Sequence, residues 1–225
     1  MIIDIHAHAY RKPVPFVVQF CSAEELIKNM DANGVDKAIV LPIVSSEIYL
    51  PQANEDILDM VEQYPDRLYP FCNVDPRCLS NSATAKLEVV LQYYKDRGCR
   101  GVGEVMPNMH IMDPRVQNLF RAAEVVDMPV IYDGSSVTTG DYGLYDDIGH
   151  PGLAYTLGRF PNLKIFGHGP VFWSEIAPLE TPASRKPIFH VNSDNQIDSK
   201  VPSTPVTVEG VIPKLFRKFP NLYGD

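Results

Sequence analysis

The chain is poor in cysteine and in clustered positive charge, and it lacks long apolar runs. Four cysteines, Cys21, Cys72, Cys78 and Cys99, stand among 225 residues, with no C-x-x-C pair. That number and spacing do not make a disulfide framework, and each reads as a buried structural thiol in a reducing compartment. The 20 Lys and Arg are scattered and outnumbered by 28 Asp and Glu, giving a formal net charge of -8. Nucleic-acid backbones and anionic membranes both select clustered cations, so neither is expected as a partner. No apolar stretch reaches the length of a bilayer span. The chain opens Met1-Ile2-Ile3-Asp4-Ile5-His6, without the basic-then-apolar order of a secretory leader. The expected location is therefore the cytoplasm, and the expected partner a small-molecule substrate.

What is present is a regular alternation of short apolar runs with longer amphipathic ones. Strands are expected at 2–5, 37–41, 68–74, 100–105, 129–132, 163–167 and 221–224. Helices are expected at 23–33, 53–63, 81–97, 113–127, 151–160 and 206–218. Ser22 followed by Glu25 is a capping-box signature, and Val116, Leu119, Phe120 and Ala123 share one helical face. Phe160-Pro161-Asn162-Leu163 recurs as Phe219-Pro220-Asn221-Leu222, with Tyr64-Pro65-Asp66-Arg67-Leu68 as a looser copy. Each stands where a helix should end and a strand begin, as expected of a repeated βα unit.

Short strands separated by helices imply a parallel sheet. The expected architecture is an α/β, (β/α)8 TIM-barrel-like domain over 1–225, incomplete at about seven βα units. A doubly wound open sheet is the alternative, but His6-Ala7-His8 stands where its Gly-rich phosphate loop would be. The proline-rich stretch 170–205 is expected to be a lid or recognition loop at the C-terminal face of the barrel.

The candidate chemistry begins with Asp4-Ile5-His6-Ala7-His8. Two His at i and i+2 on a strand point to one side, and at the strand's C-terminal end both can grip one divalent metal. Zn2+ is the first expectation, with Mn2+ or Fe2+ as alternatives and one or two ions. Glu104, ending Gly101-Val102-Gly103-Glu104, can ligate one ion or bridge two, or be an ordinary paired charge. His168, in Gly167-His168-Gly169-Pro170, falls at the same face.

These motifs together resemble the amidohydrolase superfamily, in particular its amidohydrolase-2 branch, which also holds decarboxylases of the aminocarboxymuconate-semialdehyde type. The Asn221–Asp225 segment resembles that branch's strand-seven motif. The Gly-Glu pair at Gly103-Glu104 is similar to that of TatD-like metal-dependent nucleases. The resemblance implies a metal-dependent hydrolase, with His6, His8, Glu104, Asp133 and His168 as metal ligands and His168 and Asp133 also in catalysis. Non-oxidative decarboxylation is the alternative reaction.

Two departures stand out. Asp133 occupies the place of an expected ligand His, so it either ligates a harder metal or marks a weakened site. The family's strand-eight Asp has no counterpart, and Asp225, on strand seven, is no substitute by position. The chain is then either a fragment or a catalytically impaired binding or assembly subunit, whose open sheet edges would favour a homo-oligomer. Among the other residues, His110 is the best pocket candidate. His150 and His190 read as solvated or capping residues, Trp173 as a pocket wall, and Arg185, Lys186 and His190 as groups that could meet an acidic substrate.

Overall fold

Local signals set the helix ends in the computed structural model, which describes residues 1–14, 19–48, 50, 52–185 and 205–225. Helix α1 (Ala23–Asn33) starts at the expected capping box: Ser22 Oγ accepts the Glu25 N–H at 3.2 Å, and Glu25 Oε2 accepts the Ser22 N–H at 2.8 Å. Helix α2 spans Asn54–Val61 and α3 Leu87–Asp96. Helix α4 (Pro114–Val125) is capped by Asp113, with proline in its first turn, and buries Val116, Leu119, Phe120 and Ala123 completely. Each such large apolar side chain contributes roughly 1.5–3 kcal/mol by leaving water. Helices α5 (Pro151–Arg159), α6 (Gly169–Trp173) and α7 (Ile212–Lys218) complete the set.

Strands β1 (Ile3–Ala7), β2 (Lys37–Val40) and β3 (Leu68–Pro70) pair in parallel in that order. A bridge from Cys72 to Val102 carries the sheet to β4 (Val102–Val105). Parallel pairing then continues through β5 (Val130–Ser135), β7 (Ile165–His168) and β8 (Leu222–Gly224). A two-residue strand, β6 (Leu144–Tyr145), adds to the end of β5. The result is a partial barrel of about seven βα units. Among the described residues, no pairing returns from β8 to β1.

Leu41, Phe71 and Ile131 pack together as one buried cluster, with Ile39 and Phe166 against it. These residues come from β2, β5, β7 and the strand ends beside them, and they fill the barrel interior as a layer of side chains. Gly101 is required there: a Cβ on it would stand 2.3 Å from the Phe71 ring. A larger core packs α3, α4, α5 and α7 outside β4, β5, β7 and β8, and a smaller one packs α1 and α2 outside β1–β3.

The repeated Phe-Pro-Asn-Leu segment folds the same way twice. Leu163 donates to the Phe160 carbonyl and Leu222 to the Phe219 carbonyl, each at 3.1 Å. In the looser copy, Arg67 donates to the Tyr64 carbonyl at 3.0 Å. The buried Asn221 amide reaches the carbonyls of Leu157, Phe160 and Leu163, tying the two full copies together.

Several expectations need correction. Strand β6 carried no recognisable run in the sequence. The helix expected at 81–97 starts at Leu87, because 81–86 form turns, and the one expected at 206–218 starts at Ile212. The expected loop 170–205 begins as helix α6 and short 3-10 turns at Ser174–Ile176 and Pro182–Ser184. Its remainder, 186–204, lies outside the described residues, as do Lys186 and His190. Cys78 is exposed and Cys21 half-buried, so only Cys72 and Cys99 fit the buried reading; all four are free thiols.

Candidate metal centre

The C-terminal ends of five strands deliver one cluster. His6 lies in β1 and His8 just beyond it, Glu104 in β4, Asp133 in β5, His168 at the end of β7 and Asp225 immediately after β8. Parallel register sets Asp133 directly beside His168. All five residues expected as ligands converge, and Asp225 joins them. Asp225, kept out of the ligand set by its strand position, reaches the cluster as well, because β8 ends close enough to β1 for its Oδ2 to lie 3.3 Å from His6 Nδ1.

The strand period turns His6 and His8 to one side, where their Nε2 atoms lie 3.0 Å apart. Glu104 Oε2 faces both, 3.4 Å from His6 Nε2 and 3.5 Å from His8 Nε2. Its other oxygen, Oε1, lies 3.7 Å from His168 Nε2. Among the described residues, three groups have ligand atoms within 4.8 Å of one another: His6, His8 and Glu104; Glu104, Asp133 and His168; and His6, His168 and Asp225. Nitrogen and oxygen donors bonded to one ion at about 2.0–2.2 Å stand roughly 2.8–3.6 Å apart from one another, from octahedral to tetrahedral geometry. The His6, His8 and Glu104 separations match that spacing, so the residues present fit a divalent metal. Glu104 belongs to two of the groups, a bridging position should two ions be held.

Neighbouring groups hold the cluster in place. His8 Nδ1 lies 3.0 Å from the Leu41 carbonyl, which can only accept; Nδ1 therefore carries a proton, and Nε2 is the nitrogen turned toward Glu104. Asn73 Nδ2 donates to the Glu104 carbonyl at 2.6 Å, and the Asn73 N–H donates to Asn54 Oδ1 at 2.7 Å. Gly169, at φ +83°, leaves room for Asp133: a Cβ there would stand 2.3 Å from Asp133 Oδ1. Trp173 Nε1 donates to Asp225 Oδ1 at 3.1 Å. That bond anchors Asp225 beside the cluster.

The electrostatics are those of negative charge held by imidazoles. Burial works against ionisation of Glu104, but hydrogen bonds from His6 and His8 and the nearby His168 outweigh it, and the carboxylate sits well below its usual range. Burial likewise opposes the charge on His6, yet Asp225 and Glu104 push it up to about 9. Asp133 moves the other way. Burial, reinforced by the charges of Glu104, Asp141 and Asp225, raises it far above the carboxylate range, so it holds its proton.

Other histidines lie elsewhere. His110 is exposed, its Nδ1 accepting the Met112 N–H at 3.0 Å and its ring against Tyr145. His150 is fully buried rather than solvated, with Asp146, Glu175 and Arg185 around it. Arg185 is itself buried, its Nε 2.8 Å from Glu175 Oε1, and does not wait for an acidic substrate.

No family model and no curated protein matches this chain. Solved structures do. An uncharacterised TIM-barrel protein from Bordetella bronchiseptica matches 99% of this chain and 74% of its own length, with a TM-score of 0.61 at 19% identity. A probable 2-pyrone-4,6-dicarboxylic acid hydrolase from Acinetobacter baumannii matches 81% of this chain and 62% of its own length, with a TM-score of 0.49 at 16% identity. The 5-carboxyvanillate decarboxylase of Sphingomonas paucimobilis matches 76% of this chain and 67% of its own length, with a TM-score of 0.49 at 15% identity. The chain thus spans 62–74% of the length of these three proteins. What the chain shares with the Bordetella bronchiseptica protein at this identity is the TIM-barrel fold, in partial form.

Proposed function

We propose that this chain is a metal-dependent hydrolase of the amidohydrolase superfamily, acting on a small molecule at the C-terminal end of the barrel. The observation that carries the reading is the convergence of His6 Nε2, His8 Nε2 and Glu104 Oε2 at 3.0–3.5 Å from one another. His6, His8 and Glu104 would hold the ion, with Asp133 and His168 completing the set or holding a second one. Such an ion lowers the pKa of water toward neutrality and polarises a carbonyl or phosphoryl oxygen.

The chain's own groups supply the proton traffic. Where His168 alone completes the set, Asp133 stays outside the ion's sphere with its buried carboxyl raised far above the usual range, so it can deliver a proton to a leaving group and afterwards, as a carboxylate, take one back. The His168 side chain is 28% exposed, against 11% for His6, 14% for His8 and 5% for Glu104, so it is the histidine placed to exchange protons between the site and incoming molecules. The buried Asp133 proton also favours the second reading, decarboxylation, in which it would go to the carbon that loses CO2.

The test is metal content after reconstitution with Zn2+ or Mn2+, with His6→Ala as control. About one or two equivalents in the parent chain and a marked loss in the variant are expected. Uptake below about half an equivalent would sink the reading. Given a turned-over substrate, an 18O label passing from water to product supports hydrolysis, whereas CO2 release without label identifies the decarboxylase.

A further inference from the structure

We propose that Asp225 is the positioning residue of this centre: it holds the Nδ1 edges of His6 and His168 and so turns both Nε2 atoms toward Glu104. The inference rests on the metal-centre reading above and names what aligns its imidazoles.

The rings of His6 and His168 are stacked, 3.7 Å between centroids and 22° from parallel. Their equivalent edges therefore face the same way. On one edge, Asp225 Oδ2 is hydrogen-bonded to His168 Nδ1 and lies 3.3 Å from His6 Nδ1. The His6 contact is close but poorly aligned, and leaves that buried nitrogen without a full hydrogen bond. On the opposite edge, His6 Nε2 stands 3.4 Å and His168 Nε2 3.7 Å from the Glu104 carboxylate. An ionised carboxylate only accepts, so it selects the Nδ1–H form of its partner and leaves the Nε2 lone pair free to ligate. Leu41 does the same for His8 through its backbone carbonyl. Three imidazoles from two strands thus present the same nitrogen to one carboxylate.

Asp225 is itself fixed. Its backbone N–H reaches the Gly167 carbonyl at 3.4 Å, and Trp173 Nε1 holds Oδ1 at 3.1 Å, leaving Oδ2 for the histidines. Trp173 is wedged between Phe172 and Phe216, with ring centroids 5.0 and 6.2 Å away. Direct ligation by Asp225 is the competing geometry, but an ion on the Nδ1 edge would leave His8 out of its sphere.

The experiment pairs Zn2+ titration, using a competing chelator, with 15N imidazole spectra of the metal-free protein, for the parent, Asp225→Ala and Asp225→Asn. Asp225→Ala is expected to weaken Zn2+ binding roughly 10–100-fold at unchanged stoichiometry. Its His168 signal should move from the Nδ1–H form toward the Nε2–H form. Asp225→Asn keeps an acceptor oxygen and should recover most of the Nδ1–H form. If Asp225→Ala does not fold, Trp173→Phe, which removes only the donor to Oδ1, should shift the same signal in the same direction by less. Loss of a whole equivalent of Zn2+ in Asp225→Ala would make Asp225 a ligand and overturn the proposal. An unchanged tautomer would overturn it as well. If the parent chain takes up no Zn2+, the metal reading falls, while the spectra still decide the role of Asp225.

Discussion

Two buried clusters in this chain combine histidine with carboxylates, and they solve the problem of buried charge in opposite ways. Around His150, the protein supplies its own cation. Arg185 Nε sits 2.8 Å from Glu175 Oε1, while Asp146 caps the start of α5 by accepting the Gly152 and Leu153 N–H groups at 3.0 and 2.8 Å. Burial, with the Arg185 charge added, holds the His150 imidazole down to about 3, so it stays neutral. At the barrel mouth the positive charge acting on Glu104 comes from His6 and His168, and His6 is pushed up to about 9. One cluster carries its own cation, Arg185. The other draws a proton onto His6, as a set of convergent nitrogens and carboxylates does when a cation is what it suits. The difference separates a structural knot from a candidate site better than residue type does, since both contain the same kinds of side chain.

The comparison can be broken from either side. Arg185→Met should cost about 3–5 kcal/mol of stability in urea unfolding, because it leaves Glu175 buried and unpaired. A loss below about 1 kcal/mol would mean that Arg185 is not the internal cation.

The pH response of the metal-free protein should come next in size. The folded pKa of His6, about 9, lies above its unfolded value of 6.5. The resulting stability, up to about 3 kcal/mol, is fully present below pH 6.5 and lost as pH rises through 9. His150 has the opposite sign: its folded pKa lies below 6.5, so its contribution is present above that pH and lost as pH falls toward 3. Bound Zn2+ should abolish the alkaline loss, because the metal takes the place of the His6 proton. Unfolding curves from pH 6 to 10, with and without Zn2+, check this, and identical curves would refute it.

The smallest effect is expected at Tyr10, whose buried hydroxyl has no hydrogen-bond partner among the described residues. Tyr10→Phe should raise stability by about 1 kcal/mol, as removal of an unsatisfied buried polar group does. A destabilised variant would show that the hydroxyl is satisfied in solution.

The sequence made the barrel legible because its signals are local. The capping box at Ser22, the buried stripe on α4 and the repeated Phe-Pro-Asn-Leu turn each act within a few residues, and each forms as its local chemistry dictates. His6 and His8 were legible for the same reason, since a two-residue strand period sets their common direction. Asp225 was not. Its proximity to His6 depends on how seven strands curve, and no spacing along the chain encodes that closure. Burial of His150 was equally hidden, because its partners Glu175 and Arg185 are 25 and 35 residues away. Strand β6 is two residues long, too short for periodicity to register.

The bond from His8 Nδ1 to the Leu41 carbonyl gives the site an uneven exposure to mutation. A carbonyl belongs to the backbone, so no codon change at position 41 deletes it; any residue that keeps the strand end in place keeps His8 oriented. Asp225 can be lost in a single base change. A saturation library scored for Zn2+ retention would therefore show an asymmetric map, intolerant at 225 and permissive toward apolar residues at 41, even though the two positions perform the same task for neighbouring imidazoles.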